Sequence, residues 1–324
     1  MKIILTTISF STFNFQLSIM IKVENISKSY GEKNQKILAV DNISFSVEKG
    51  EIFGLIGPDG SGKTSIFRML TTVLLPDSGN AEIDGLDVIK DYKQIRQILG
   101  YMPGKFSLYQ DLTVEENLEF FASVFNTTIA ENYDLIKDIY QQIEPFKTRR
   151  AGKLSGGMKQ KLALSCALIH KPKVLFLDEP TTGVDPVSRK EFWEMLKRLK
   201  EQGITIVVAT PYMDEASLCD RIALMQNGKI LKIDTPQHIC KDFPKDLFEV
   251  KTENIPALLK ILKDYKTTEN SYAFGEFAHV VVDKEKEFSK ESLEKFLREK
   301  SFKEIEINKI EATIEDSFIL LLSV

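Results

Sequence analysis

Gly57-Pro58-Asp59-Gly60-Ser61-Gly62-Lys63-Thr64 matches G-x-x-x-x-G-K-[ST], and its surroundings decide the fold. The apolar run Ile52-Phe53-Gly54-Leu55-Ile56 precedes it, and Ile66-Phe67-Arg68-Met69-Leu70, which reads as a helix, follows. Strand, glycine loop and helix in that order build an anion site. Glycines let successive backbone N–H groups turn inward, and the helix adds the positive end of its dipole. Lys63 is placed to reach the β- and γ-phosphates of a nucleotide, and Thr64 to offer its hydroxyl to Mg²⁺. Gly57, Pro58, Asp59, Gly60, Ser61, Gly62, Lys63, Thr64 and Ser65 are therefore the expected nucleotide-binding residues.

Downstream, Val174-Leu175-Phe176-Leu177 and Ile204-Thr205-Ile206-Val207-Val208-Ala209 are short, continuous apolar runs. Such runs suit strands buried on both faces of a mainly parallel sheet. Between them Phe192, Met195, Leu196 and Leu199 recur at helical spacing, completing the alternation of an α/β domain. The first run ends in Asp178-Glu179-Pro180. A carboxylate at the tip of a central parallel strand lies at the ligand-binding edge of the sheet. Asp178 is the expected Mg²⁺ holder, through water, and Glu179 the expected general base toward an attacking water.

Residues from about 105 to 170 read as a helical insertion, with helices expected over Val114–Phe125 and Tyr133–Ile143. After Phe243 the pattern changes. Strands are expected over 247–250, 279–283 and 304–310, and helices over 256–263, 290–300 and 314–322. The chain thus reads as an α/β P-loop core of mainly parallel sheet over 21–243, with a helical subdomain at about 105–170 and a small C-terminal α+β domain over 244–324. Residues 1–20 carry no charge from Ile3 to Ile21, yet eight Ser, Thr, Asn and Gln residues interrupt them. They read as a disordered extension rather than a membrane span or signal peptide.

Forty-seven acidic against 43 basic residues give a net charge of −4, which argues against a general nucleic-acid binder. Cys166, Cys219 and Cys240 form no C-x-x-C pair and read as reduced thiols of a cytoplasmic protein. His170, His238 and His279 read as surface residues.

Leu154-Ser155-Gly156-Gly157-Met158 lies between the P-loop and the Asp178-Glu179 strand. It resembles the signature motif of ABC transporter ATP-binding subunits. Tyr30 stands where that family has an aromatic that stacks on adenine. Tyr101-Met102-Pro103 resembles the lead-in to the family's Q-loop, and Gly183-Val184-Asp185-Pro186 resembles its D-loop. The likeness covers about residues 21–240. It implies ATP and Mg²⁺ as ligands, with Ser155, Gly156 and Gly157 closing on ATP held by the opposite one of two ATP-binding subunits. It further implies a separate integral membrane permease subunit, a place at the cytoplasmic face of the membrane, and, through the C-terminal appendix, the ABC-2 class of exporters.

Two positions depart from the family. Gly104 stands where a glutamine is usual, and Pro211, after Thr210, where a histidine is usual. Glycine holds no water, and proline has neither a side-chain donor nor an N–H. Two readings follow. In one the chain is a transport ATPase subunit with slowed turnover. In the other it is an ATP-binding clamp that lends Ser155-Gly156-Gly157 to an active partner subunit. Soluble ABC ATPases of translation or repair carry two such domains or long inserted arms, and neither pattern is found in this sequence.

Overall fold

The computed structural model describes residues 18–31, 36–105, 107–283 and 288–322. In chain order the first elements are β1 (Ile19–Tyr30), β2 (Ile37–Glu48), β3 (Ile52–Ile56), α1 (Lys63–Leu70), β4 (Ser78–Ile83), β5 (Leu86–Asp87), α2 (Tyr92–Ile98), β6 (Leu99–Met102), α3 (Val114–Val124), α4 (Ile129–Tyr140) and α5 (Gly156–Leu168). Then come β7 (Val174–Asp178), α6 (Pro186–Glu201), β8 (Thr205–Thr210), α7 (Met213–Ala216), β9 (Arg221–Gln226), β10 (Lys229–Asp234) and α8 (Pro236–Lys241). The last are β11 (Asp246–Lys251), α9 (Ile255–Leu262), β12 (Thr268–Phe274), β13 (Phe277–Val282), α10 (Lys290–Glu299), β14 (Glu306–Ile310) and α11 (Ile314–Leu322). By contact density the chain forms two units. One runs up to Phe53 and adds Asp59–Ala209 and Asn227–Lys229; the other holds Gly54–Pro58, Thr210–Gln226 and the chain from Ile230.

In the first unit the apolar runs become strands because no residue in them meets water. Every residue of β7, and every β8 residue from Thr205 to Ala209, is buried. Strands β6, β7 and β8 are parallel neighbours, with Met102 opposite Leu177 and Asp178 opposite Ala209. The first residues of β3 lie beside β8, where Ile206 N–H donates to the Glu51 carbonyl at 2.8 Å. Phe67 of α1 meets Phe176 of β7 edge to face, ring centroids 5.4 Å apart, so the helix after the loop is seated on the strand that ends in the acids. A separate antiparallel sheet has the order β2-β1-β4-β5. Strand β1 begins inside the stretch read as an extension: Ile19 pairs with Glu48, and Met20 is buried. The expected disordered extension otherwise falls on residues 1–17, which lie outside the described residues.

Among the described residues no strand stands between β6 and β7. Helix α4 begins at Ile129, not near Tyr133. Thr128 accepts from Glu131 N–H while the Glu131 side chain accepts from Thr128 N–H, a capping box that fixes the start four residues earlier. Helix α3 has the same closure between Thr113 and Glu116. Asn117 pins the loop before α3, taking Tyr109 N–H at 3.0 Å and giving Nδ2–H to the carbonyls of Tyr109 at 3.0 Å and Thr113 at 2.8 Å.

In the second unit β12-β13-β11-β14 is an antiparallel sheet built from β-α-β-β-α-β, a split βαβ arrangement. One face packs Phe248, Val250, Ala278, Val280 and Val282 against Leu258 and Leu262 of α9 and Leu293 and Leu297 of α10. On the other, Phe243, Leu247 and Val281 pack with Leu320 of α11. Helix α11 also packs on α7 and α8, and Ser317 Oγ donates to the Ile239 carbonyl at 3.2 Å. Residues beyond 243 are thus tied to α8, which the sequence reading assigns to the core.

His279 is not at the surface. Its Nδ1 lies 2.6 Å from Asp316 Oδ1, and both residues are buried. Asp316 also accepts from Tyr272 Oη, Thr313 N–H and Thr313 Oγ1, each at 2.7 Å. Burial alone would raise the Asp316 pKa; the bonds from His279, Thr313 and Tyr272 outweigh it and hold the carboxyl below its ordinary value. His170 is half-buried, stacked on Phe125 with centroids 3.7 Å apart. No described helix is long and apolar enough to cross a membrane.

Candidate functional site

The loop from Asp59 reaches α1 through Gly62, which sits at φ +104. A methyl carbon built on Gly62 would run into the Ala39 carbonyl oxygen, so only glycine lets the loop pass β2 this closely. Helix α1 starts with no side-chain cap, which leaves the first-turn N–H groups to an incoming acceptor. Ser61 Oγ is buried and has no hydrogen-bond partner among the described residues. An orphaned hydroxyl in a glycine loop fits a phosphate oxygen, since a buried polar group left unpaired is destabilising.

Lys63, 3% exposed, stands in the field of Glu179, Asp59 and Asp178. Burial pushes its pKa down, and the three carboxylates act against that shift. Thr64 Oγ1 donates to Asp178 Oδ1 at 3.2 Å. Burial raises the Asp178 carboxyl, with Glu179 adding to the rise; the Thr64 hydroxyl, Lys63 and Arg68 oppose it. Here two hard oxygens lie side by side, one on a carboxylate short of counter-charge. No group of three or more His, Cys, Asp and Glu that could hold a metal stands among the described residues. The paired Thr64 and Asp178 oxygens fit Mg²⁺, which takes one or two protein oxygens and completes its shell with phosphate and water.

Glu179 follows β7 at φ +49, left-handed backbone that is strained for a non-glycine residue. Its N–H donates to the Ala209 carbonyl at 2.7 Å, its carbonyl accepts from Thr182 N–H at 3.2 Å, and Thr182 Oγ1 donates to its Oε2 at 3.4 Å. Gly104 stands directly against this turn: a Cβ there would lie 3.0 Å from the Asp178 carbonyl oxygen and 3.6 Å from Glu179 Cβ. The sequence gives no sign of this approach or of the Thr182 contact, since both depend on the turn after β7.

Tyr30, 38% exposed, is linked to the loop by Oη to Ser65 Oγ at 3.0 Å. Ser155, Gly156 and Gly157 gather with another segment. Ser155 caps α5 by accepting from Met158 N–H at 3.4 Å, and a Cβ at Gly157 would lie 3.2 Å from Ser188 Oγ. The D-loop-like Asp185 accepts from the N–H groups of Val187 at 3.1 Å and Ser188 at 3.0 Å, closing the start of α6.

In the second unit, Gly57 N–H donates to the Thr210 carbonyl at 3.3 Å. Thr210 Oγ1 donates to buried Glu215 at 2.6 Å and accepts from Tyr212 N–H at 3.1 Å. These bonds close the turn that carries Pro211.

The ABC transporter family profile matches residues 40–182. Over 222 residues the chain is 41% identical to the probable multidrug ABC transporter ATP-binding protein YbhF of Escherichia coli, covering 68% of this chain and 38% of YbhF. It therefore spans about two fifths of that relative's length. With the linearmycin resistance ATP-binding protein LnrL of Bacillus subtilis it shares 37% identity over 225 residues, 68% of this chain and 71% of LnrL. Among solved structures it resembles the ATP-binding cassette MJ0796, seen as a post-hydrolysis dimer bound to ADP and Pi. The TM-score is 0.61 and the identity 26%, over 67% of this chain and 98% of that one. The chain belongs to the ABC transporter family, as one of its ATP-binding proteins.

Proposed function

We propose that the chain binds MgATP at residues 57–65 and hydrolyses it to drive export by a separate membrane permease subunit, on the cytoplasmic face of the membrane. The observation that carries this reading is the convergence of buried Lys63 and Asp178 with half-buried Thr64 and Glu179 at the uncapped start of α1. Lys63 neutralises phosphate charge, Ser61 and the N–H groups at the start of α1 bind phosphate oxygens, and Tyr30 stacks on adenine. Thr64 and Asp178 hold Mg²⁺, which when bound offsets the charge on the phosphates. Glu179 takes the proton of the attacking water. Ser155, Gly156 and Gly157 present a serine and helix-start amides to the γ-phosphate of a second ATP-binding subunit. Support for export comes from the names of YbhF and LnrL, and support for a dimer from MJ0796. Residues 244–324 form an accessory domain. Tyr109, Phe120 and Val124 expose apolar surface on the helical subdomain, suited to the permease.

The test is calorimetric titration of MgATP into wild type and Lys63→Ala, with phosphate release measured on both. Affinity is expected to fall about 10- to 100-fold, the worth of a charge-assisted contact. Equal affinity in a folded variant refutes the reading.

A specific observation favours the clamp reading as a second possibility. Gly104 faces Asp178 and Glu179 with no side chain to hold a water. On that reading this chain's own site binds ATP and turns it over slowly, and its signature surface completes the site of a partner subunit.

A further inference from the structure

Among the described residues one side chain hydrogen-bonds the Glu179 carboxylate, and it is Thr182. The main chain of Glu179 is fixed at both ends, by Ala209 and by Thr182 N–H. For its side chain that hydroxyl is the one hydrogen bond among the described residues. Gly104, against the Glu179 Cβ, supplies nothing to steady it. Lys63 acts on Glu179 through charge, which is non-directional and fixes no orientation.

We propose that Thr182 is the positioning residue for the general base. Its hydroxyl donates to Oε2, which leaves Oε1 to receive the proton of the attacking water. As that proton moves to Glu179, the water oxygen bonds to the γ-phosphorus, and the bond from phosphorus to the bridging oxygen breaks with its electron pair leaving on ADP. The β-branched side chain of threonine has few χ1 choices, which suits a fixed donor. The 3.4 Å separation is long for a hydroxyl bond, as such contacts often are before substrate closes the site. The inference rests on the assignment of Glu179 as base.

The experiment is single-turnover hydrolysis of MgATP by the full chain in excess, with MgATP affinity measured on every variant. Thr182→Ala and the near-isosteric Thr182→Val are expected to slow the chemical step about tenfold, the low end for losing a residue that orients a reacting group, at unchanged affinity. Thr182→Ser is expected to recover most of the rate. If Thr182→Val hydrolyses at the wild-type rate, the proposal is overturned. Should Val slow the reaction and Ser fail to restore it, the hydroxyl is not the operative group and the proposal falls equally. Glu179→Gln is the separate control. Wild-type turnover in that variant removes Glu179 as base, a failure of the underlying reading rather than of Thr182.

Discussion

Alanine at Gly62 and at Gly60 tests two different reasons for a glycine in one loop. Gly60 sits at φ +79 with nothing within 4 Å of a built Cβ, so alanine there meets backbone strain alone. That strain costs about 1–2 kcal/mol. Gly62, at φ +104, carries comparable strain and in addition would drive its methyl into the Ala39 carbonyl oxygen. Strand β2 or the loop must then shift, and disturbing a packed segment adds roughly 2 kcal/mol, for a sum of about 3–4 kcal/mol. At about 2–4 °C per kcal/mol, Gly60→Ala is expected to melt about 3–5 °C below wild type and Gly62→Ala about 10 °C below. The shift also moves the N–H groups that face the phosphate, so Gly62→Ala is expected to bind MgATP about 100-fold more weakly, the value of two lost hydrogen bonds to a charged group. Scanning calorimetry without nucleotide and titration calorimetry with MgATP read the two effects apart. If Gly62→Ala melts with Gly60→Ala and binds MgATP like wild type, the close approach to Ala39 does not fix residue 62 as glycine.

Three further outcomes are expected. On the clamp reading, in a complex with an ATPase subunit that keeps glutamine and histidine at the positions of Gly104 and Pro211, Glu179→Gln in this chain is expected to leave steady-state phosphate release largely intact. Disrupting Ser155, Gly156 and Gly157 is expected to abolish most of it, and the reverse result would make this chain's own site the working one. Asp316→Asn is expected to lower stability by about 2–3 kcal/mol at neutral pH, because the hydrogen bonds from His279, Tyr272 and Thr313 lose their charged acceptor. The folded carboxyl is held below its ordinary value, so its contribution is full above the unfolded pKa of about 4 and fades as pH falls through the folded value. Acid titration of the melting temperature should therefore bring variant and wild type together as pH falls below the folded carboxyl's lowered value. Tyr30→Ala is expected to weaken ATP binding about tenfold, the worth of one stacked base, while leaving inorganic triphosphate binding unchanged; equal losses for both ligands would contradict adenine stacking.

The strands that flank the site were legible in the sequence because burial on both faces removes any need for polar residues, as in Val174-Leu175-Phe176-Leu177. The P-loop was legible because φ +79 and φ +104 admit little but glycine. Strand β12, Thr-Glu-Asn-Ser-Tyr-Ala-Phe, was missed because it is an edge strand with most residues partly exposed, so no apolar alternation marks it. The start of α4 was misplaced because the apolar period begins inside the helix, and the sign of its end lies in Thr128 and Glu131 instead. His279 read as a surface residue because nothing local shows that Asp316, 37 positions on, will pair with it. The Thr182–Glu179 bond depends on one positive φ, which a glutamate does not advertise.

The double closures at Thr113–Glu116 and Thr128–Glu131, with Asn117 holding the preceding loop, bear on association energetics. Ordering a loose helix end on contact takes conformational entropy out of the binding free energy, residue by residue. Here the starts of α3 and α4 are closed by their own side chains before any partner arrives. A surface docking on Tyr109, Phe120 and Val124 has only side-chain rotamers left to freeze. Its affinity then follows the fit of those side chains, and its on-rate is not slowed by helix formation.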